Sequence, residues 1–306
     1  MKDQENLQAL FAPGGDPGQW LTGYLRTRAH LASQGSDFHC DPACTRPGCK
    51  NPEMLVPVSI VDLLGAAGQL GEPVATVYRR YYSLGVFPNE RNDWIRVVAL
   101  RLQKPCTFLK NDLCGIYSVR PLPCILFPEY LAAEGKFEAE ARKEHFRDYL
   151  CFQAPLLLSP ERAGIMVRLK QMWTRETLIS SFYLFGHGPC YLDFSNLAPE
   201  LQQRAQELRG PEAAESLAPN VIPQSVLEGF FLEHLARLQP FAGVEEKIAP
   251  LQDRRGEAEF LRLLQDDRLL RRLQQGEGDR AIVFRFAKGK LKAKRQSLLP
   301  AEYKYY

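Results

Sequence analysis

Apolar residues at Trp20, Leu21, Tyr24, Leu25 and Leu31 recur at helical spacing and the run ends near Gly35, which predicts an opening amphipathic helix. The pattern then breaks. From Asp37 to Pro52 three cysteines stand among three prolines and a glycine, a composition that excludes a regular helix or a central strand. Ser59 predicts the cap of a helix that begins at Ile60 and runs to about Gly68, with Asp62 completing a capping box. A second helix is expected from Pro73, with Val74, Val77, Tyr78, Tyr81 and Tyr82 along one side. Residues 94–102, rich in β-branched and aromatic side chains, read as a strand. Residues 106–128 read as short turns, and 136–142 as either a second strand or a short helix.

Ser159, Pro160 and Glu161 start a long helix that carries Ile165, Met166, Leu169, Met172 and Trp173 to about Phe185. Further helices are expected at 199–208, 225–238 and 256–275, then a strand at Ala281–Ala287 and a solvated basic tail, KGKLKAKR. Together the elements predict an α+β fold, predominantly helical, with few short strands and irregular loops that carry the chemistry. The expected division is an N-terminal helical segment over 1–35, a cysteine-rich domain over 36–195 and a helical C-terminal region over 196–306.

Composition narrows the function classes. A formal charge of +3 over 306 residues calls for neither a nucleic acid nor an anionic membrane as partner, and the basic tail lacks a recognisable reading module, so nucleic-acid binding is not expected. The longest stretch without Asp, Glu, Lys or Arg, from Thr177 to Leu192, is interrupted by Gly186, Gly188 and Pro189 before it reaches the roughly 20 residues of a membrane span. The first twenty residues, acidic and rich in turn formers, do not read as a secretory signal, and a cytoplasmic location is expected. Eight cysteines in such a chain read as ligands, nucleophiles or buried fillers rather than as a disulfide framework.

The cysteines fall into three groups: Cys40, Cys44 and Cys49; then Cys106, Cys114 and Cys124; then Cys151 and Cys190 singly. Only folding can bring groups so far apart into one coordination sphere, and eight thiolates suffice for two four-ligand sites at most. Pro42, Pro47 and Gly48 keep the first loop irregular, so backbone N–H groups are free to point at concentrated negative charge. Arg120 is the charged residue of interest: a guanidinium beside thiolates can offset their charge or hold a carboxylate or phosphate of a cofactor, the alternative being a structural ion pair at a turn.

The second group reads Cys106-Thr-Phe-Leu, Cys114-Gly-Ile-Tyr, Val119-Arg120-Pro121 and Cys124, closed by Phe127-Pro128. This series resembles the signature of the YkgJ-like cysteine-cluster proteins, described as zinc- or iron-chelating or as Fe–S proteins. The resemblance extends upstream to the step Val56-Pro57-Val58-Ser59 with Asp62, and spans roughly 38–190. It implies a metal-binding domain over 36–195, with Cys40, Cys44, Cys49, Cys106, Cys114 and Cys124 as ligands and Cys151 and Cys190 as further candidates. The chain departs from the family in lacking an adjacent Cys-Cys pair in the first group and in having Ile125, not Arg, after Cys124.

No Cys-x2-Cys knuckle is present, which favours an iron–sulfur cluster, [4Fe–4S] before others, over structural zinc. His187, three residues before Cys190, and His39, beside Cys40, keep a mixed Cys/His zinc site open. Phosphate-binding loops, nucleophile elbows, zinc-protease helices and dinucleotide fingerprints are absent. Three roles are therefore expected in turn: a cluster or metal protein of electron transfer, sensing or metal handling with an unidentified protein partner; an Fe–S-dependent protein-modifying enzyme related to flagellin lysine methylases; or a zinc-stapled interaction module. Oligomeric state is not readable.

Overall fold

The computed structural model describes residues 17–35, 43–89, 94–197, 240–275, 281–287 and 290–296, with isolated positions between these segments. The capping box at Ser59 forms as its residues dictate. The Asp62 N–H donates to Ser59 Oγ, the Ser59 N–H donates to Asp62 Oδ2 at 2.8 Å, and helix Ile60–Leu70 ends on Gly71 at φ 64. The long helix starts as expected, with Ser59's counterpart Ser159 accepting from the Arg162 N–H, and runs Pro160–Phe185 to stop on Gly186 at φ 73. In chain order the helices used below are α1 (Pro17–Ser33), α2 (Pro47–Lys50), α3 (Ile60–Leu70), α4 (Val74–Tyr81), α5 (Leu122–Leu126), α6 (Glu129–Ala133), α7 (Phe137–Ala141), α8 (Pro160–Phe185), α9 (Val244–Ile248), α10 (Arg254–Gln265) and α11 (Asp267–Gln275). The strands are β1 (Tyr82–Pro88), β2 (Ile95–Leu102), β3 (Leu109–Lys110), β4 (Leu113–Cys114), β5 (Cys190–Asp193), β6 (Ala281–Ala287) and β7 (Lys290–Gln296).

Five strands form one mixed sheet in the order β1-β2-β5-β6-β7, parallel between β5 and β6 and antiparallel elsewhere. The fold is α+β and dominated by helices. β2 is buried along nearly its whole length because β1 and β5 flank it and Val98 and Leu100 face the main core while Ile95 and Val97 face a smaller cluster with Tyr191, Ala281 and Val283. α8 is the central beam. Ile165, Leu169, Met172 and Ile179 are buried on it, and α1, α3, α5, α6, α10 and α11 pack around it. β6 pairs with β5, and α10 packs on α1 and α8, so residues after 240 share the sheet and core of the cysteine-rich part.

Several local expectations change on folding. Tyr82 ends the second helix instead of continuing its face, because β1 pairs in register with β2, Leu84 opposite Leu100 and Val86 opposite Val98. A Cβ on Gly85 would meet the Arg101 side chain at 2.9 Å, so glycine lets the two strands lie close. Residues Phe137–Ala141 take the helical alternative. The single helix expected at 256–275 is divided at Asp266, whose Oδ1 accepts the Leu269 N–H at 2.9 Å and so caps α11. The basic run expected to be a solvated tail is the edge strand β7, where Lys290, Lys292 and Lys294 are exposed; lysines on an edge discourage further strand addition. The helices expected at 199–208 and 225–238 lie outside the described residues. No helix among the described residues is long and apolar enough to cross a membrane.

Candidate metal centre

The first cysteine loop is held to the second by backbone and charge. α2 is entered through Arg46, which is in the left-handed region at φ 60, with Pro47 at its first position. The Cys106 N–H donates to the Cys49 carbonyl at 2.7 Å, and Lys104 Nζ donates to the Gly48 carbonyl at 2.6 Å. Asp112, at the tip of the β3–β4 turn, pairs with Lys50 at 2.7 Å and accepts from Arg46 Nε through its carbonyl. Asn111 and Asp112 both take positive φ, the conformation of a tight two-residue hairpin, and this places Cys114 on β4 opposite Leu109.

Cys124 is positioned from below by a buried charge network. Arg28 on α1 donates to Asp62 Oδ1 at 2.7 Å and to both oxygens of Glu176 at 3.1 Å, and the exposure of all three side chains is 1% or less. The same Arg28 donates to the Arg120 carbonyl, and Asp62 Oδ1 accepts the Leu122 N–H at 3.2 Å. The turn and helix that present Cys124 are therefore tied to α1, α3 and α8. Burial pushes the Glu176 carboxyl up to about 7, and Asp62 adds to this, against the pull of Arg28 and of hydrogen bonds from Tyr24 and Ser59.

The thiols share one electrostatic neighbourhood. Burial raises Cys49, with Cys106 and Cys44 adding to it and Lys104 and Arg46 opposing. Burial raises Cys114 too; a backbone hydrogen bond from Ile116 opposes, Cys49 adds, and Arg120 and Lys104 oppose. Cys124 is pushed up to about 12 by burial, with Lys104 opposing and Cys49 and Cys106 adding. Tyr149, also pushed up to about 12 by burial, feels Cys151, Cys49 and Cys44 in that order. Cys49 and Cys106 therefore meet where the two loops are joined, Cys49 and Cys124 line one cavity beside Lys104, and Cys114 stands on the adjoining hairpin. Cys44, Cys49, Cys106, Cys114, Cys124 and Cys190 are free thiols.

Other candidates lie elsewhere. Cys190 is fully buried on β5 with His187, whose Nδ1 is 3.9 Å from its sulfur and donates to the Gly188 carbonyl; burial raises this thiol and Lys247 opposes. Its strand position inside the sheet turns Cys190 into the core, where Leu192 and Phe194 are also buried. Arg120 stands beside Cys114 and lies over the Tyr117 ring at 4.4 Å, a stacked cation rather than an ion pair at a turn. Cys40 and His39 are outside the described residues.

Among the described residues no group of three or more His, Cys, Asp or Glu side chains stands close enough to grip a single metal ion. The thiols converge without closing a coordination sphere. Their chemistry nonetheless fits a soft metal: the donors are sulfur, they come from separate loops, and Lys104, Arg46 and Arg120 supply positive charge at their margin. Sequence reasoning did not single out Arg28, Glu176, Lys104 or Tyr149. Glu176 lies between Arg175 and Thr177, just before the uncharged stretch that starts at Thr177, and carried no signal of its own. Comparison with models of known families, with curated proteins and with solved structures gives no match.

Proposed function

We propose that the protein is a metal-binding protein of the YkgJ-like kind, in which Cys49, Cys106, Cys114 and Cys124 hold an iron–sulfur cluster, [4Fe–4S] favoured over zinc. Cys44 and Cys151 are the further candidates among the described residues. The single observation that carries the reading is that folding joins the separate cysteine loops: the Cys106 N–H donates to the Cys49 carbonyl at 2.7 Å, and Cys49 and Cys124 line one cavity. Burial favours the neutral form of Cys49, Cys114 and Cys124, so several thiolates can coexist there only with a cation that offsets their charge, which a bound metal would supply. Free thiols suit a reducing, cytoplasmic compartment, and the role that follows is electron transfer, sensing or metal handling with a protein partner.

Anaerobic purification with metal analysis and visible absorption tests this. Iron and sulfide in near-equal amounts with a broad visible absorption are expected. Colourless, zinc-loaded protein would leave the stapled interaction module in its place, and protein without either metal would refute the centre.

A further inference from the structure

The β3–β4 hairpin presents Cys114 on a surface that combines exposed apolar side chains with basic ones. Four large apolar side chains among the described residues stand exposed, and two of them, Leu113 at 70% and Tyr117 at 66%, lie within three positions of Cys114. Single exposed apolar residues are ordinary on a surface, so the pair alone would mean little. Their neighbours change that. The Arg120 guanidinium lies over the Tyr117 ring at 4.4 Å, and Lys110 stands directly across the hairpin from Leu113, so that these two side chains share one face. Lys110, like Leu113, is exposed. Tyrosine and arginine are among the side chains enriched at the energetic centres of protein interfaces.

The charge on this face is not balanced. From Arg101 to Pro128 the chain holds four basic residues, Arg101, Lys104, Lys110 and Arg120, and one acid, Asp112. That acid is already engaged, pairing with Lys50 at 2.7 Å. Lys110 and Arg120 have no carboxylate partner among the described residues. The surface is also held in shape by the chain itself. Asn111 and Asp112 close the two-residue turn, Arg46 Nε donates to the Asp112 carbonyl, and the Gly115 N–H donates to the Phe108 carbonyl at 2.8 Å. A preordered contact surface loses little conformational freedom on binding.

A second copy of this chain does not fit the face, because two such surfaces would set like charge against like charge. Leu113 offers a nucleobase no flat surface to stack on, and Arg120 already covers one side of the Tyr117 ring. We propose that the face docks a protein segment whose apolar residues are flanked by glutamate or aspartate, Leu113 and Tyr117 making the apolar contact and Lys110 and Arg120 donating to the carboxylates. This gives the protein partner of the metal reading a place and a chemistry, and it rests on that reading for its purpose; the docking itself needs only the surface.

The test is fluorescence anisotropy of short labelled peptides titrated with the anaerobically isolated full chain, metal content being measured on every sample. One peptide has leucine and phenylalanine flanked by glutamate, a second has lysine in place of glutamate, and a third keeps the glutamates but has serine for its apolar residues. The first is expected to bind saturably and to weaken with salt, the second not to bind, and the third to bind at least about 10-fold more weakly. Leu113→Ser and Tyr117→Ser should each weaken the first peptide by roughly 5–30-fold, the range of an interface anchor. Lys110→Glu should weaken it too and admit the lysine peptide. All three positions are exposed, so the variants keep the fold, and if one does not, the other two decide. Val167→Ser, on a groove between α6, α8 and α11 that no hairpin residue lines, should change nothing. Protein isolated without metal that still binds the first peptide would refute the metal reading and support this one. Absence of saturable binding of the first peptide, tighter binding of oligothymidine or of phosphatidylserine vesicles, or a loss with Val167→Ser equal to that with Tyr117→Ser would overturn the proposal.

Discussion

Two buried polar sites meet at the segment 120–124, and they are built on opposite terms. Around Arg28 one guanidinium serves two carboxylates, and hydrogen bonds from Tyr24, Ser59 and the Leu122 N–H satisfy their remaining oxygens, leaving Arg28 Nε as the one group of the network without a partner among the described residues. Near Lys104, whose ammonium donates to the Gly48 carbonyl, burial pushes Cys49, Cys114 and Cys124 toward the neutral form. The first arrangement needs nothing from outside and acts as structure. The second would need an added positive charge to become fully ionised, which is what the proposed metal would supply.

The sharpest way to break this contrast is Arg28→Met. Removing the shared cation leaves Asp62 and Glu176 buried without a counter-charge, a loss of about 3–5 kcal/mol, or roughly 10 °C in Tm for a chain of this size. Thermal unfolding measures it; a Tm within error of the parent would mean that the network does not clamp α1, α3 and α8.

Substitution at the thiols should separate function from folding. Cys114→Ser and Cys124→Ser are each expected to lose most of the bound metal while thermal unfolding stays cooperative, since neither thiol belongs to the charge network. Cys190→Ala is the control: metal content unchanged, with a stability loss of about 1 kcal/mol from the small cavity it opens. Metal loss from the Cys190 variant equal to that from the other two would contradict the placement of the centre.

The smallest effect is a pH dependence. Glu176, pushed up to about 7, holds in the folded state a proton that the unfolded chain has already released. Its contribution is therefore fully present below the ordinary glutamate value and fades as pH rises through about 7. The Tm difference between the parent and Glu176→Gln should shift in favour of the glutamine variant between pH 5 and pH 8. A difference that is flat over that range would show that Glu176 titrates alike in both states.

Much of the frame could be read directly. The caps at Ser59 and Ser159, the strand at 95–102 and the start and end of α8 follow from residues within a turn or two of each other. β1 could not be read, since Tyr82, Leu84 and Val86 become a strand only by pairing with β2. The break at Asp266 lay inside an unbroken helical pattern, and the lysines of β7 resembled a solvated face until β6 gave them a partner. At the centre, spacing pointed to the cysteines and to Arg120, but Lys104 and Tyr149 carried no pattern of their own, because their meaning depends on which groups folding sets beside them.

Sequence alone determined where helices begin and stop and which segments must stay irregular, for those are contests between groups a few positions apart. Tertiary structure decided which thiols face one another, that Cys190 turns into the sheet, and that Glu176 shares a guanidinium with Asp62. Arg28 and Glu176 are separated by 148 positions, and the charge either one carries is set by burial and by a partner that no local pattern encodes.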